Sequence, residues 1–229
     1  MKLGFISDVH SNIHALNCVL EYGRKLAVDE WCCCGDIVGY NAFPGDCVSL
    51  IRENHILSVL GNHDWAVVTG DTSGFNPYGV SGVEYARKIL TDEDKDFLKN
   101  YPQKMVIQRD GVSFFFVHGS PRDPLFEYVN PYVSDVLLQV FAEMVPAEII
   151  ILGHTHVPME RYLTDSVFLN PGSVGQPRDG NPDASFLVFD TEKKEGKHYR
   201  VSYDIQAAAD AIRKNGLPEF LAQRLFDGR

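Results

Sequence analysis

An α/β fold is predicted for this chain of 229 residues, and three features predict it. From Lys2 to Leu60, short apolar runs alternate with segments of helical spacing, the pattern of a parallel sheet covered by helices. Polar turns carrying Asp, His and Asn follow those apolar runs directly, at the strand ends where open α/β sheets gather their ligands. Hairpin signals dominate the second half, so antiparallel strands are expected to join the parallel ones.

Taken in order, Lys2–Ile6 reads as the first strand. Ser7-Asp8-Val9-His10-Ser11-Asn12 then supplies capping residues before Ile13, Leu16, Val19 and Leu20 take up helical spacing. Glu30–Cys34 is the second strand and closes on Gly35-Asp36; Asp46–Glu53 is the next helix; Ile56–Leu60 is the third strand, followed at once by Gly61-Asn62-His63-Asp64. Between Trp65 and Tyr101 the strand pattern stops. A helical insert at about 65–101 is expected, with segments near Val80–Leu90 and after Thr91-Asp92-Glu93-Asp94, a start resembling a capping box with Asp in place of Glu. It stands either as a wall over a site or as a plain packing layer.

Lys104–Gln108 and Val112–Val117 flank Arg109-Asp110-Gly111 as a hairpin, and the second of these strands ends in His118-Gly119. Past a loop rich in Pro and charge, Val133–Met144 is helical and Glu148–Leu152 is a strand ending in Gly153-His154-Thr155-His156. Glu160–Leu163 and Val167–Leu169 form another hairpin, the stretch from Asn170 to Gly180 is a Gly/Pro loop, and Phe186–Phe189 with His198–Tyr203 are antiparallel strands. The tail from Ile205 to Leu225 is helical, broken at Gly216-Leu217-Pro218. No repeat or linker divides the chain, so one domain over 1–229 is expected.

Hydrophobic residues at 45% and charged residues at 23% exclude the disordered and low-complexity classes. No apolar run approaches the roughly 20 residues that span a bilayer, and Met1-Lys2-Leu3 leads straight into a strand, so a cytoplasmic location away from membranes is expected. A net charge of −10 argues against an extended nucleic-acid surface. Part of that acidity is readable as ligand charge awaiting cations. Cys32, Cys33 and Cys34 have neither metal-knuckle nor disulfide spacing and read as small buried apolar residues of a reducing compartment.

The chemistry gathers at five strand ends: Asp8 and His10; Asp36; Asn62 and His63; His118; His154 and His156. Taken singly, each histidine is as well accounted for as a core or turn residue, and Gly61-Asn62-His63-Asp64 as a turn. Jointly the pattern resists that explanation, because five of the eight histidines fall at strand ends while His14, His55 and His198 fall elsewhere. Carboxylate, imidazole and amide without thiolate suit manganese, iron, nickel or zinc, with manganese favoured. Seven candidate ligands are too many for one ion, so two divalent ions bridged by a carboxylate about 4 Å apart are expected. Such a pair lowers the pKa of bound water from about 15.7 to roughly 7 and clamps an anionic oxygen, which is the chemistry of phosphoester hydrolysis by hydroxide attack.

Asp8 to His10 (DxH), Gly35-Asp36 (GD), Gly61 to Asp64 (GNHD), His118-Gly119 (HG) and Gly153 to His156 (GHTH) together resemble the motif series of the calcineurin-like metallophosphoesterases. The series covers about two thirds of the chain and is most similar to the small bacterial and archaeal phosphodiesterase branch, in a longer form. The resemblance implies a four-layer α/β/β/α sandwich of two mixed sheets flanked by helices. It implies that Asp8, His10 and His156 hold one ion, that Asn62, His118 and His154 hold the other, and that Asp36 bridges them. His63 is left as proton donor, with Asp64 orienting it or a neighbouring loop.

Arg178 and Arg122 are candidate phosphate contacts, since a guanidinium offers paired donors, and the NPGSVGQ loop could lend backbone amides. GDIVGY and GNHD depart from the GDxxDRG and terminal Glu of protein phosphatases and symmetrical dinucleoside tetraphosphatases. A phosphodiesterase acting on a small-molecule or nucleotide diester is therefore favoured. Phosphomonoesterase or protein-phosphatase-like activity ranks second, and a non-catalytic metal-binding scaffold, like the retromer subunit of similar fold, third. The expected partner is a phosphoester small molecule, with a homo-oligomer left open.

Overall fold

Side-chain alternation along the central strands sorts the chain into layers. In the computed structural model, which describes residues 1–229, β1 (Lys2–Ile6) sends Leu3 and Phe5 to one face and Ile6 to the other, and β2 (Glu30–Cys33) with Cys34 does the same with its cysteines. Cys32 and Cys34 join Leu3 and Phe5, whereas Cys33 joins Ile6. All five cysteines are free.

Helices α1 (Ile13–Lys25) and α2 (Pro44–Glu53) connect β1, β2 and the short β3 (Leu57–Ser58), which lie parallel. The antiparallel pair β9 (Ala184–Asp190) and β10 (Glu195–Val201) completes the first sheet, in the order β10-β9-β1-β2-β3. The second sheet holds β4 (Lys104–Arg109), β5 (Val112–Val117), β6 (Ile149–Ile151), β8 (Val167–Asn170) and β7 (Met159–Tyr162), in that spatial order. Its three central strands are parallel and its two edges antiparallel.

The sheets pack face to face through Leu3, Phe5, Cys32, Phe114, Phe116 and Ile151; Phe114 stands 5.7 Å from Phe5 and 5.1 Å from Phe189, ring centre to ring centre. Outside the first sheet lie α1, α2, α7 (Ile205–Lys214) and α8 (Glu219–Asp227), joined in one apolar cluster by α3 (Asn62–Thr69), α4 (Pro77–Ile89) and α5 (Asp92–Lys99). Outside the second, α6 (Asp135–Glu143) sets Leu138 and Phe141 on Phe115, Val117 and Phe168. The layers are therefore helix, sheet, sheet, helix, as expected. No helix is long and apolar enough to cross a membrane.

Three elements differ from expectation in ways that bear on the rim. The third strand shrinks to two residues because Ile56 N–H turns back to the α2 carbonyl of Ile51 and Leu60 N–H bonds Pro102 rather than β2. The stretch read as a loop at Asn62-His63-Asp64 is the first turn of α3, and α4 starts at Pro77 behind an Asn76 cap, where proline suits the first helical position.

Phe114 is fully buried between the sheets. Phe114→Ala is expected to cost about 3–5 kcal/mol in urea unfolding, whereas Tyr132→Ala, at a side chain 97% exposed, should stay within about 0.5 kcal/mol.

Candidate metal centre

The carboxyl ends of β1, β2, β3, β5 and β6 open on one rim, and the turns that follow carry the side chains. Asp8 Oδ1 lies 3.2 Å from His156 Nε2 and 3.7 Å from His10 Nε2; Asp36 Oδ2 lies 3.3 Å from His118 Nε2 and 3.6 Å from His10 Nε2. His118 Nε2 is also 2.9 Å from Asn62 Oδ1 and 3.0 Å from His154 Nδ1. All seven candidate ligands are thus brought together, and all are buried. Three overlapping groups could hold a cation: Asp8, His10 and His156; His10, Asp36 and His63; Asp36, His118 and His154.

The backbone is bent to achieve this. Asp8, His10, Asp36, His154 and His156 all have φ between 47° and 66°, a left-handed conformation costing non-glycine residues about 1–3 kcal/mol each. Hydrogen bonds between turns hold it: Asp8 N–H donates to Gly35 at 3.0 Å, His10 N–H to the Asp36 carbonyl at 2.9 Å, and His154 N–H to Asp8 Oδ2 at 3.1 Å.

Three imidazoles are oriented from behind. Nδ1–H donates from His10 to Val38 O at 3.1 Å, from His118 to Cys34 O at 2.8 Å and from His156 to Gln176 O at 2.6 Å. Each Nε2 lone pair is thereby aimed inward, where His10 and His156 Nε2 face each other at 3.2 Å. Two lone pairs at that distance, beside an Asp8 Oδ1 that is buried without a hydrogen-bond partner, are matched by a cation between them. The donor set, imidazole with carboxylate and amide, fits a divalent ion of the borderline type.

Electrostatics follow the same plan. Burial alone would raise Asp36, but His118 and His63 hold it well below the usual carboxylate range. Burial would depress His118, yet the Asp36 charge and hydrogen bond lift it to about 9. Burial pushes His63 down to about 4 and His154 to about 3. Burial, reinforced by the Asp36 charge, pushes Asp64 up to about 7.

His63 stands at the same rim, its ring 4.8 Å from His10, 4.5 Å from Tyr40 and 4.8 Å from Phe75. Gly39 makes room for it, since a Cβ there would lie 2.5 Å from His63 Nδ1. Asp64 does not touch His63. Its two oxygens accept from Val38 N–H and Gly61 N–H, both at 3.1 Å, so of the two expected contacts it makes the loop-holding one.

Arg178 is half-buried near the centre, its guanidinium 5.8 Å from the Tyr40 ring, with Nη2 donating to Gln176 Oε1 at 2.9 Å. Arg122 pairs its guanidinium with Glu127, between the cavity residues Phe126 and Tyr128, and lies 5.5 Å from the Phe141 ring. His14 packs edge-on against Phe43, and His198 ties Glu160 to the Asn170 carbonyl, both structural contacts as expected.

A cavity of about 280 Å³ opens beside Asn62, His63 and His154, walled by Tyr40, Phe75, Phe126 and Tyr128. Tyr128 stacks on His154 with ring centres 3.8 Å apart. Tyr40 and Phe75 were not singled out in the sequence; the position of Tyr40 directly after Gly39, four residues past Asp36, is the signal that could have found it. A larger hollow of about 650 Å³ between α6 and the β7–β8 turn contains no histidine.

A sandwich with this rim defines a metal-dependent hydrolase class, and comparison with known proteins identifies it. The model of the calcineurin-like phosphoesterase superfamily domain matches residues 1–194, and the chain belongs to that divalent-metal-dependent family. It is a metal-dependent hydrolase of phosphoric esters. The chain is 38% identical to the uncharacterized protein MJ0912 of Methanocaldococcus jannaschii, over 99% of this chain and 98% of that one. The solved metallophosphoesterase of Sphaerobacter thermophilus is 33% identical, with a TM-score of 0.87 over 100% of this chain and 99% of its own. Phosphodiesterase YfcE of Escherichia coli K12 is 24% identical over 84% of this chain and 89% of its own.

Removing the Asp64 carboxylate leaves two buried N–H groups without an acceptor. Asp64→Ala is therefore expected to lower stability by about 1–3 kcal/mol, and Asp64→Asn, which keeps one acceptor oxygen, by less; urea denaturation of the two variants checks the order.

Proposed function

We propose that this protein is a phosphodiesterase that uses two divalent ions, with manganese favoured. Asp8, His10 and His156 would hold one ion and Asn62, His118 and His154 the other, with Asp36 shared. The observation that carries this reading is Asp36, whose Oδ2 lies within 3.6 Å of both His10 and His118 and so belongs to both groups. When bound, a divalent pair supplies Lewis acidity, making water nucleophilic near neutral pH and neutralising phosphate oxygens.

The chain's own groups do the rest. His10, His118 and His156 are held as Nε2 donors toward the ions by their Nδ1–H bonds. His63 acts as the acid. Its Nδ1 is enclosed and unpartnered, which leaves Nε2 to give a proton to the departing alkoxide. Burial depresses His63, and the negative charge of a phosphoryl group beside it acts in the opposite direction.

The aromatic cavity suits an organic substituent on the phosphate. The cavity at His63 and Asn62 offers an organic group on phosphorus four aromatic walls, and the relatives named phosphodiesterases favour the diester. The presence of His63 at the rim favours an enzyme over a scaffold. A reducing cytoplasmic setting, with a small-molecule or nucleotide diester as substrate, fits the five free thiols.

Three outcomes are expected. Protein loaded with manganese should cleave bis-p-nitrophenyl phosphate with a higher kcat/KM than p-nitrophenyl phosphate; the reverse order removes the diesterase reading, and no cleavage across manganese, nickel, iron and zinc removes the enzyme reading. Manganese at about 100 times its Kd should stabilise the fold by about 2.7 kcal/mol against the chelated protein, and Asp36→Asn should abolish that gain in a thermal melt. His63→Ala should retain its metals by elemental analysis yet cleave an alkyl diester about 10²–10⁴-fold more slowly. Its loss on a p-nitrophenyl ester should be smaller, because that leaving group departs without a proton; equal turnover by variant and parent on the alkyl diester refutes the acid role.

A further inference from the structure

Four of the protein's half-buried arginines meet carboxylates: Arg52 with Glu93 and Asp94, Arg109 with Glu30, Arg161 with Asp135, and Arg200 with Asp179. Arg87, which donates to the Val67 carbonyl, Arg178 and Arg224 pair with no Asp or Glu side chain. The guanidiniums of Arg178 and Arg224 both lie over the ring of Tyr40, at 5.8 Å and 5.9 Å from its centre. That ring is in turn 4.5 Å from His63 and 4.7 Å from His10, centre to centre, and Arg178 N–H donates to the His156 carbonyl at 3.3 Å, so the two cations lie beside the candidate metal centre.

The donors of the pair are largely unused. Arg178 directs Nη2 to Gln176, but its Nε is buried without a partner. Arg224 uses Nε on the main-chain oxygen of Arg229, which leaves both of its Nη groups free. Burial first, and then the charge of Arg178, lowers Arg224 to about 10.

The position of Arg224 is set by helix packing. Leu221, Ala222 and Leu225 are buried in the apolar cluster, which leaves Arg224 at the helix border, and Phe220 stacks on Tyr78 of α4 with ring centres 4.5 Å apart. Arg224 also lies beyond residue 194, where the match to the family model ends. The cation is thus a contribution of this chain's C-terminal helix.

We propose that Arg178 and Arg224 form a subsite for a second phosphoryl group of the substrate, at the Tyr40 ring beside the candidate metal centre. The proposal rests on the phosphodiesterase reading and narrows it to nucleotide diesters that carry an additional phosphate. Two guanidiniums present paired donors to phosphate oxygens, and a dianion relieves their mutual repulsion. An aromatic face at Tyr40 and an aromatic cavity on the side of His63 suit the sugar and base of such a molecule.

The test uses the full-length, manganese-loaded protein and two matched pairs of probes. Thymidine 3′,5′-bisphosphate and thymidine 5′-monophosphate are compared by equilibrium binding; the p-nitrophenyl esters of the 5′-phosphate, with and without a 3′-phosphate, are compared by kcat/KM. The 3′-phosphate is expected to improve both quantities by about tenfold or more. Arg224→Gln should bring the ratio within each pair close to one, and Arg224→Lys should retain part of the preference, with thermal melts confirming that both variants fold. If Arg224→Gln does not fold, Arg178→Gln provides the comparison. No preference in the parent protein, or an undiminished preference in the folded variant, overturns the subsite. Failure to cleave either ester overturns the diesterase reading instead, while the binding pair still decides the subsite.

Discussion

One buried carboxylate governs the rim. Asp36 is almost wholly removed from water, one oxygen accepting the His63 N–H at 2.8 Å and the other facing His118 and His10. Such burial is tolerable only with donors and cations close by, and the first turn of α3 supplies a donor: helix N-termini carry unpaired N–H groups and a positive dipole end. To reach it, the turns after β2 and β3 must touch backbone to backbone. A Cβ on Gly61 would lie 2.1 Å from Asp36 Oδ1, and one on Gly35, whose φ is +89°, 2.6 Å from Gly61 N. Asp64 then ties the same two turns from the other side. The short third strand, the start of α3 and the placement of His63 all follow from housing Asp36.

The second sheet is bound to the first by the same centre as well as by its apolar face. Phe114 and Phe116 set the sheets together, but the turn after β6 is held by Asp8 of the first sheet through His154 N–H, and Asp8 is itself tied to Gly35 and Gly175. The left-handed turns that present Asp8, His10, Asp36, His154 and His156 are therefore not independent strains. Each is held by a neighbour that is itself held, which is how a rim of unfavourable conformations persists in a folded protein.

Much of this was legible from residue order. Strands announced themselves by alternation or apolar runs, and the candidate ligands were visible because Asp8, Asp36, His118 and His154 interrupt such runs at their ends. The helix at Asn62 was not legible. Its first turn carries Asn62, His63 and Asp64, each turned to a task outside the helix, so the apolar periodicity that marks an amphipathic helix is nearly absent. The partner of Arg122 was not legible either: loop position alone does not say what a side chain will meet, and Glu127, five residues on, captures it. Arg224 meets Tyr40 only after the last helix has folded back over the first layer, and no local pattern encodes a contact of that separation.

That difference in legibility has a physical root. The candidate metal ligands sit at the ends of parallel strands, where hydrogen-bonded ladders fix them, and their chemistry restricts them to a few residue types. The walls come from elsewhere: Phe75 from the segment between α3 and α4, Phe126 and Tyr128 from the loop after β5, Arg224 from α8. These elements pack on the sandwich mainly through side chains, and side-chain packing accepts many sequences of similar volume and pattern. A fold organised this way can keep one hydrolytic centre while changing what surrounds it. The reaction class is therefore legible in the strand ends, whereas the proposed substrate-facing walls come from loops and one helix whose contacts exist only in three dimensions.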